Sequence, residues 1–458
     1  MDLSPELFRQ YDIRGHVGVD LTPEVAHRVA LGTAAYWRRH GQGTAVVGRD
    51  CRISSPELAA AFVEGLLDGG VERIIDLGMV PTPFVYFARH HLDVGPAVVI
   101  TGSHNPPQMN GFKLALGPGT LYGPEIQEVA ALCRTAQAGA RVGRVERLDI
   151  FPAYRERMRE LFPDGFSGLE VVADAGNGAA GPYAPAVLKG LGLKVHEMYC
   201  EPDGTFPNHH PDPLQPKNMR ALQAEVLRVG AQLGFAFDGD MDRLGAVDEQ
   251  GKVRAVDELL ILYWRDIFPR YPDRPTLVEV KCSERLADDL RRMGAKPEWT
   301  PTGHSLIKAA MRKVGAAFAG ELSGHIFFAD RFTGDDDALY AGLRLAEIVA
   351  RSGRSLSDLL SDLPPAFATP ETRVACPEER KTAVSDAVRE HFRGRYDLVT
   401  VDGVRVLLDG AWVLLRPSNT EPALVLRAEG RSEAALAAAK AAMEAALAAH
   451  PEVSRPDW

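Results

Sequence analysis

Apolar positions follow two different periods along most of the chain. Short continuous runs such as TAVVG (44–48) and RIIDLG (73–78) alternate with helix-length segments such as SPELAAAFVEGLLDGG (55–70), where apolar residues return every three or four positions. Up to about residue 360 this alternation predicts α/β units built on mostly parallel or mixed sheets. The last hundred residues read differently. DLVTVDGVRVLLDGAWVLLRPSN (397–419) predicts successive antiparallel strands turning at Asp402-Gly403 and Asp409-Gly410, and the Ala-rich SEAALAAAKAAMEAALAAH (432–450) predicts a closing helix. That tail forms a separate α+β domain.

A weak internal repeat refines the picture. VGPAVVITGSHN starts at Val94, VGAQLGFAFDGDMD at Val229 and VGAAFAGELSGH at Val314. Each is Val-Gly, a short apolar strand, then a polar loop. Three related domains follow from this. In open α/β sheets ligands gather at the carboxyl ends of strands, so the three polar loops are the places to look for chemistry. The boundaries fall near 148, 250 and 364.

Composition narrows the function classes. The chain has 458 residues, 45% apolar and 25% charged, which suits several globular domains. A net charge of −10 argues against a nucleic-acid partner and requires locally arranged cations for any anionic substrate. The N-terminal MDLSPELFRQYDIRG lacks the basic and apolar regions of a signal peptide, and no apolar run approaches a membrane span. Cys51, Cys133, Cys200, Cys282 and Cys376 are scattered without a CxxC pair, which predicts free thiols and a cytoplasmic protein.

Four stretches carry chemistry. In FDGDMDRLG (237–245), Asp238, Asp240 and Asp242 alternate after an apolar strand, and such a hard-oxygen cluster suits Mg²⁺ or Ca²⁺. The offsets mimic an EF-hand, but Arg243 stands where its turn needs glycine and the flanks read as strands. Arg243 can hold a phosphate oxygen or steady the carboxylates, and a divalent ion beside cations suggests phosphoryl transfer. TGSHNPPQMNGFK (101–113) offers Ser103, with His104 and Lys113 as nearby charge. A serine hydroxyl needs activation or prior modification to react, so Ser103 reads as a phosphorylated residue whose phosphate completes the metal site, or as a helix cap. GELSGH (320–325) alternates Glu321, Ser323 and His325, suited to a polyhydroxyl ligand or to capping the next element. RPSNTEP (416–422), with Arg427 on the following strand, is either a phosphate cradle or an ordinary turn. The acidic run Asp335-Asp336-Asp337 reads as the negatively charged start of the helix ALYAGLRLAEIVA.

These stretches, with YDIRG (11–15), GRDCRISSPEL (48–58), VKCSERL (280–286) and TGHSLIK (302–308), resemble the α-D-phosphohexomutase superfamily, on the side of its bacterial phosphomannomutase/phosphoglucomutase branch. The resemblance covers nearly the whole chain. It implies three similar α/β domains with mixed sheets plus a C-terminal α+β domain, arranged around a central cleft. Residues 1–148 would hold the phosphoserine loop, 149–250 the metal loop, 251–364 the sugar loop and 365–458 the phosphate loop, the last domain moving as a lid. It implies that Ser103 acts as phosphoserine, with Asp238, Asp240, Asp242 and the phosphoserine oxygen holding Mg²⁺. Glu321, Ser323 and His325 would meet the sugar, and Arg416, Ser418, Asn419 and Thr420 the non-reacting phosphate. Tyr11, Arg14, Lys113, Arg243, Lys281 and His304 would line the cleft. Lys113 and Arg243 would sit near the transferring group, and His304, Lys281 and Arg14 are the candidates for proton transfer. The implied reaction interconverts hexose 1- and 6-phosphates, of mannose or glucose, through a hexose 1,6-bisphosphate. The partners are small sugar phosphates, with no nucleic acid and no membrane, in a monomer or homodimer. Leu322 in GELSGH argues against the phosphoglucosamine branch, which remains the alternative, with a serine phosphohydrolase and a non-catalytic binding protein behind it. Cys51 stands where relatives usually carry a small residue.

Overall fold

The structure, a computed structural model, describes residues 3–141, 143–418 and 421–458. It divides into two compact units, residues 1–263 with 323–359, and residues 264–322 with 360–458.

The first unit holds two mixed sheets. In the first, the strands run Ile13–His16, Met109–Leu116, Ala97–Ile100, Thr44–Arg49, Arg73–Met79 and Arg144–Arg147. The last four are mutually parallel, while Met109–Leu116 lies antiparallel to Ala97–Ile100 and to Ile13–His16. In the second sheet the order is Val253–Arg254, Leu244–Asp248, Leu233–Phe237, Glu170–Asp174 and Lys194–Met198. Again a parallel set ends in an antiparallel neighbour, Leu244–Asp248 beside Leu233–Phe237. The central strands Ala97–Ile100 and Leu233–Phe237 are buried along their whole length, which is why they read as unbroken apolar runs. Helices such as Pro23–Arg39 and Ser55–Asp68 bury Val29, Trp37, Phe62 and Leu66 against the first sheet.

The repeat has a local physical cause. The helices Pro216–Val229 and His304–Val314 both end at the repeat valine, and Gly230 and Gly315 follow as left-handed caps with φ of 69° and 72°. Glycine adopts that conformation without the Cβ clash that other residues meet. In the first copy the positive φ falls on Asp93 instead, at 53°.

The second unit contains a parallel pair, Thr276–Glu279 with Pro297–Thr300, joined through the helix Glu284–Arg292. Its C-terminal part is an antiparallel sheet, with Ala423–Gly430 next to Ala411–Pro417, Val404–Leu408 and Asp397–Val399 in turn. Leu408 faces Ala411 across the two-residue turn Asp409-Gly410. The helices Lys381–Phe392 and Glu433–Leu447 place Val384, Val388, Ala439 and Met443 in the same core as Val404, Val413 and Leu424. Among the described residues no helix is long and apolar enough to cross a membrane.

Candidate active site

Two polar loops leave the first unit's sheets from equivalent slots. Residues 101–108 join Ala97–Ile100 to its antiparallel neighbour Met109–Leu116, and residues 238–243 join Leu233–Phe237 to Leu244–Asp248. Each loop contains a non-glycine residue with positive φ, Ser103 at 49° and Met241 at 62°. Such conformations cost about 1–3 kcal/mol and persist only where surrounding contacts impose them. The loops touch closely. A Cβ on Gly239 would stand 2.5 Å from the Ser103 carbonyl oxygen, so only glycine fits there.

The serine and the acids meet at this contact. Ser103 Oγ donates to Asp238 Oδ2 at 2.8 Å and lies 3.3 Å from His104 Nδ1. Asp238 Oδ1 accepts from the backbone N–H groups of Asp242 and Arg243, at 3.0 and 3.1 Å. Asp240 Oδ2 accepts from Thr82 Oγ1 at 2.6 Å and from Lys113 Nζ at 2.7 Å, and the same ammonium donates to Asp242 Oδ2. All three carboxylates are fully buried. Burial, then the charges of Asp242 and Asp240, push the Asp238 carboxyl well up. For Lys113 burial pulls the other way, but Asp240 and Asp242 leave the ammonium above its ordinary value. Asp240, despite its burial, is held low by Lys113 and Thr82.

One oxygen from each of Asp238, Asp240 and Asp242 lies within 4.8 Å of the others. Asp240 Oδ1 and Asp242 Oδ1 are buried without a hydrogen bond among the described residues. Hard, anionic, unsatisfied oxygens of this kind fit a small divalent cation such as Mg²⁺. A second grouping of Asp242, His325 and Asp336 satisfies the same distance test. There, however, Arg243 Nε donates to His325 Nε2 at 3.0 Å, and His325 Nδ1 lies 2.9 Å from Asp336 Oδ2. Arg243 thus occupies one ring nitrogen, and the imidazole stands between the guanidinium and Asp336.

His104 is half-buried, and burial followed by the charges of Arg243 and Arg14 lowers its pKa well below the ordinary imidazole value. Arg14 donates to Asp12 at 2.6 Å and to the Thr101 carbonyl at 3.2 Å. Tyr11 is half-buried, in the turn before Asp12. Ser323 belongs to the first unit, and its buried Oγ has no hydrogen bond.

The remaining sequence candidates sit in the second unit. Lys281 Nζ lies 3.1 Å from Glu371 and 3.9 Å from Glu321. Burial opposes its charge, but Glu371, Glu279 and Glu321 hold its pKa above the ordinary amine value. His304 begins the helix His304–Val314 and is buried. Arg416 Nε donates to Asp402 at 2.7 Å, and the Thr302 N–H donates to the same carboxylate at 3.1 Å. Arg427 donates to the Lys281 carbonyl and stacks 5.7 Å over Trp412. Ser418 Oγ accepts from the Glu421 N–H at 3.2 Å. Asn419 and Thr420 lie outside the described residues.

Most of the chain matches models of one family. Its residues 5–139, 153–251 and 256–367 match the three alpha/beta/alpha domains of phosphoglucomutase/phosphomannomutase, and 371–446 match the C-terminal domain. The chain belongs to this family. The phosphoglucomutase/phosphomannomutase fold, three α/β domains with mixed sheets and a C-terminal domain, is the one the motifs implied. The chain is thereby a mutase of the isomerase class. A phosphomannomutase/phosphoglucomutase of Pseudomonas aeruginosa is 41% identical over 94% of this chain and 93% of its own. A phosphoglucomutase of Neisseria meningitidis is 41% identical, covering 95% of both chains. A solved phosphoglucomutase/phosphomannomutase family protein from Burkholderia thailandensis is 40% identical and superposes along both full chains with a TM-score of 0.91.

Four residues at these loops escaped the sequence reading. Thr82 starts the helix Thr82–His91 and is bonded to Asp240 through both its hydroxyl and its N–H. Asp336 was read only as part of a helix start. Asp337 does cap the helix Ala338–Ser352, through the Tyr340 N–H, but Asp336 turns to His325. Lys381 donates to the carbonyls of Ser418 and Glu421, at 2.7 and 3.0 Å, and so ties those two residues together. Arg52 is the fourth, and its contacts are described below. Cys51, the departure noted in the sequence, is half-buried with its Sγ 3.4 Å from the Asn177 carbonyl, and burial pushes its thiol up to about 12.

Proposed function

We propose that this chain interconverts the 1- and 6-phosphates of a hexose, accepting both glucose and mannose, through Ser103 as a phosphoserine. The contact of Ser103 Oγ with Asp238, inside a buried acidic cluster crossed by Lys113, carries this reading. The phosphoserine P–O bond breaks as a bond forms to the free sugar hydroxyl, giving a hexose 1,6-bisphosphate. The hydroxyl proton leaves to a base. Ser103 Oγ gains a proton as it leaves, along one of its two contacts, Asp238 Oδ2 or His104 Nδ1. After the bisphosphate turns end for end, Ser103 takes the other phosphoryl group and returns that proton by the same contact, while the sugar oxygen so freed takes a proton back from the base.

Asp238, Asp240 and Asp242 would hold Mg²⁺ together with a phosphoserine oxygen, and the ion would neutralise charge on the transferring group. Lys113 and Arg243 add fixed positive charge, and the His325–Asp336 pair keeps Arg243 turned toward the acidic loop. Lys281, held protonated by three carboxylates, serves as a proton donor or a fixed charge. Arg14 stays charged beside Asp12, so His304 is the favoured base. Glu321 and Ser323 bind sugar hydroxyls, and His325, whose ring faces Arg243 and Asp336, lies beside them in the same loop. Arg416, Ser418, Asn419 and Thr420 bind the phosphate that is not being transferred, and Arg427 acts on that region through Lys281. Residues 1–148, 149–250, 251–364 and 365–458 carry these four tasks in order.

Intact mass of the purified protein should show a phosphate adduct that maps to Ser103. Glucose 1-phosphate and mannose 1-phosphate should turn over to their 6-phosphates without release of inorganic phosphate. Ser103→Ala with full mutase activity would overturn the reading. Steady phosphate release would favour the hydrolase, and preference for glucosamine 1-phosphate the phosphoglucosamine branch.

A further inference from the structure

Arg52 is fully buried between the end of the strand Thr44–Arg49 and the Ser103 loop. Its guanidinium donates to four carbonyl oxygens of that loop. They belong to Ser103 at 2.7 Å, Asn105 at 2.5 Å, Pro106 at 2.6 Å and Met109 at 2.9 Å. Its counter-charge, Asp50, lies 3.2 Å from Nε and accepts the Gly102 N–H at 3.0 Å. Asp50 is fixed in turn by Ser55 Oγ and the Arg52 N–H. On the outer side Phe206 stacks over the guanidinium at 5.3 Å. Gly102 leaves the room this needs, since a Cβ there would stand 2.3 Å from both Cζ and Nε of Arg52.

These contacts hold the two peptide planes that flank Ser103. The plane before it is fixed where the Ser103 N–H donates to Thr101 Oγ1 at 2.8 Å. The plane after it is fixed where the Ser103 carbonyl accepts from Arg52 at 2.7 Å. With both planes held, φ and ψ of Ser103 have no remaining freedom, and the left-handed φ of 49° is imposed. That backbone conformation aims Oγ at Asp238. The planar fork of an arginine can reach four acceptors spread over seven residues, which an ammonium cannot.

We propose that Arg52 is a positioning residue for phosphoryl transfer, setting the place of the Ser103 oxygen relative to the acidic loop through the backbone. It acts without touching the reacting atoms. The proposal rests on the phosphoserine reading above. A residue that only stabilises the fold would lower the folded fraction, whereas Arg52 holds the Ser103 carbonyl and would therefore also change the loading of that serine.

The test compares Arg52→Lys and Arg52→Met with wild type, measuring kcat, KM for glucose 1-phosphate, melting temperature and the rate of Ser103 loading from glucose 1,6-bisphosphate. A misplacement of about 1 Å costs on the order of 10²-fold, so kcat and loading should both fall by about that factor, with KM within about 3-fold. The lysine variant, which regains some of the donors, should be about 10-fold faster than the methionine variant. If neither folds, Gly102→Ala displaces the guanidinium without deleting it and should give the same loss in kcat. Folded Arg52→Lys and Arg52→Met with kcat near wild type would overturn the proposal. So would a loss of kcat that only tracks the folded fraction. Failure of the phosphoserine reading itself would look different, with no adduct on wild-type Ser103 and turnover retained in Ser103→Ala.

Discussion

Lys113→Met tests the electrostatics of the acidic cluster. The ammonium lies 2.7 Å from Asp240 Oδ2 and also donates to Asp242, with all three side chains at most 4% exposed. At an effective dielectric of about 20, a charge pair at that distance interacts by about 6 kcal/mol before desolvation is counted. Removing one partner of a buried pair typically costs about 3–5 kcal/mol, because the other charge stays buried without compensation. Lys113→Met should therefore lose about 4 kcal/mol of unfolding free energy in buffer containing EDTA. A divalent cation offers a replacement charge on the same carboxylates, and the ammonium, held at their Oδ2 atoms, repels it. Magnesium should then bind the variant at least about 10-fold more tightly than wild type, and restore about 1.4 kcal/mol or more of the deficit at saturation. Urea denaturation with and without Mg²⁺, followed by fluorescence, reads both quantities. If the variant is as stable as wild type in EDTA, or if Mg²⁺ stabilises the two equally, the charge balance assigned to Lys113 is wrong. Activity should fall in either buffer, since Mg²⁺ replaces the charge and not the side chain.

Three further outcomes are expected. Gly239→Ala should lower kcat on the order of 10²-fold with little change in KM, because its Cβ would push on the Ser103 carbonyl from 2.5 Å; steady-state kinetics with a melting curve as control decide it. Thr82→Val removes the 2.6 Å donor to Asp240 and should destabilise the chain by about 1.5–3 kcal/mol in urea, the range for a hydrogen bond to a charged acceptor. Glu371, whose pKa the Lys281 ammonium lowers to about 2, contributes stability above the ordinary carboxyl pKa of 4.5 and loses it as the pH falls through 2. Its side chain is 28% exposed, so screening reduces the contribution to about 1–2 kcal/mol. Wild type and Glu371→Gln should therefore differ in stability at pH 6 and converge only below pH 2.

The sequence disclosed features that depend on local order. The strands LGFAF and LGAVD, the Asp-Gly hairpin and the alternating acids are patterns of near neighbours, and Leu233–Phe237 and Leu244–Asp248 begin and end where those patterns do. Ser103 and Lys113 could be placed in one loop-and-strand segment for the same reason. Residues that act across the fold left no such pattern. Thr82 meets Asp240 over 158 positions, Lys381 meets Ser418 over 37, and Arg52 meets Ser103 over 51. Asp336 was hidden by a correct observation about its neighbour, since Asp337 is the helix cap and the run looked fully explained. Arg427 likewise meets the Lys281 carbonyl over 146 positions, a contact its charge alone did not foretell.

The serine loop and the acidic loop leave their sheets from the same slot, after each apolar core is complete. Lengthening such a loop by a residue changes its closure free energy by only a few tenths of a kcal/mol. The same change would move Ser103 or Asp238 by enough to remove most of the rate. The length of these loops is thus recorded in catalysis far more than in folding. A screen for thermal stability would pass one-residue insertions within 101–108 and 238–243 that leave no enzyme, and only a turnover assay would find them.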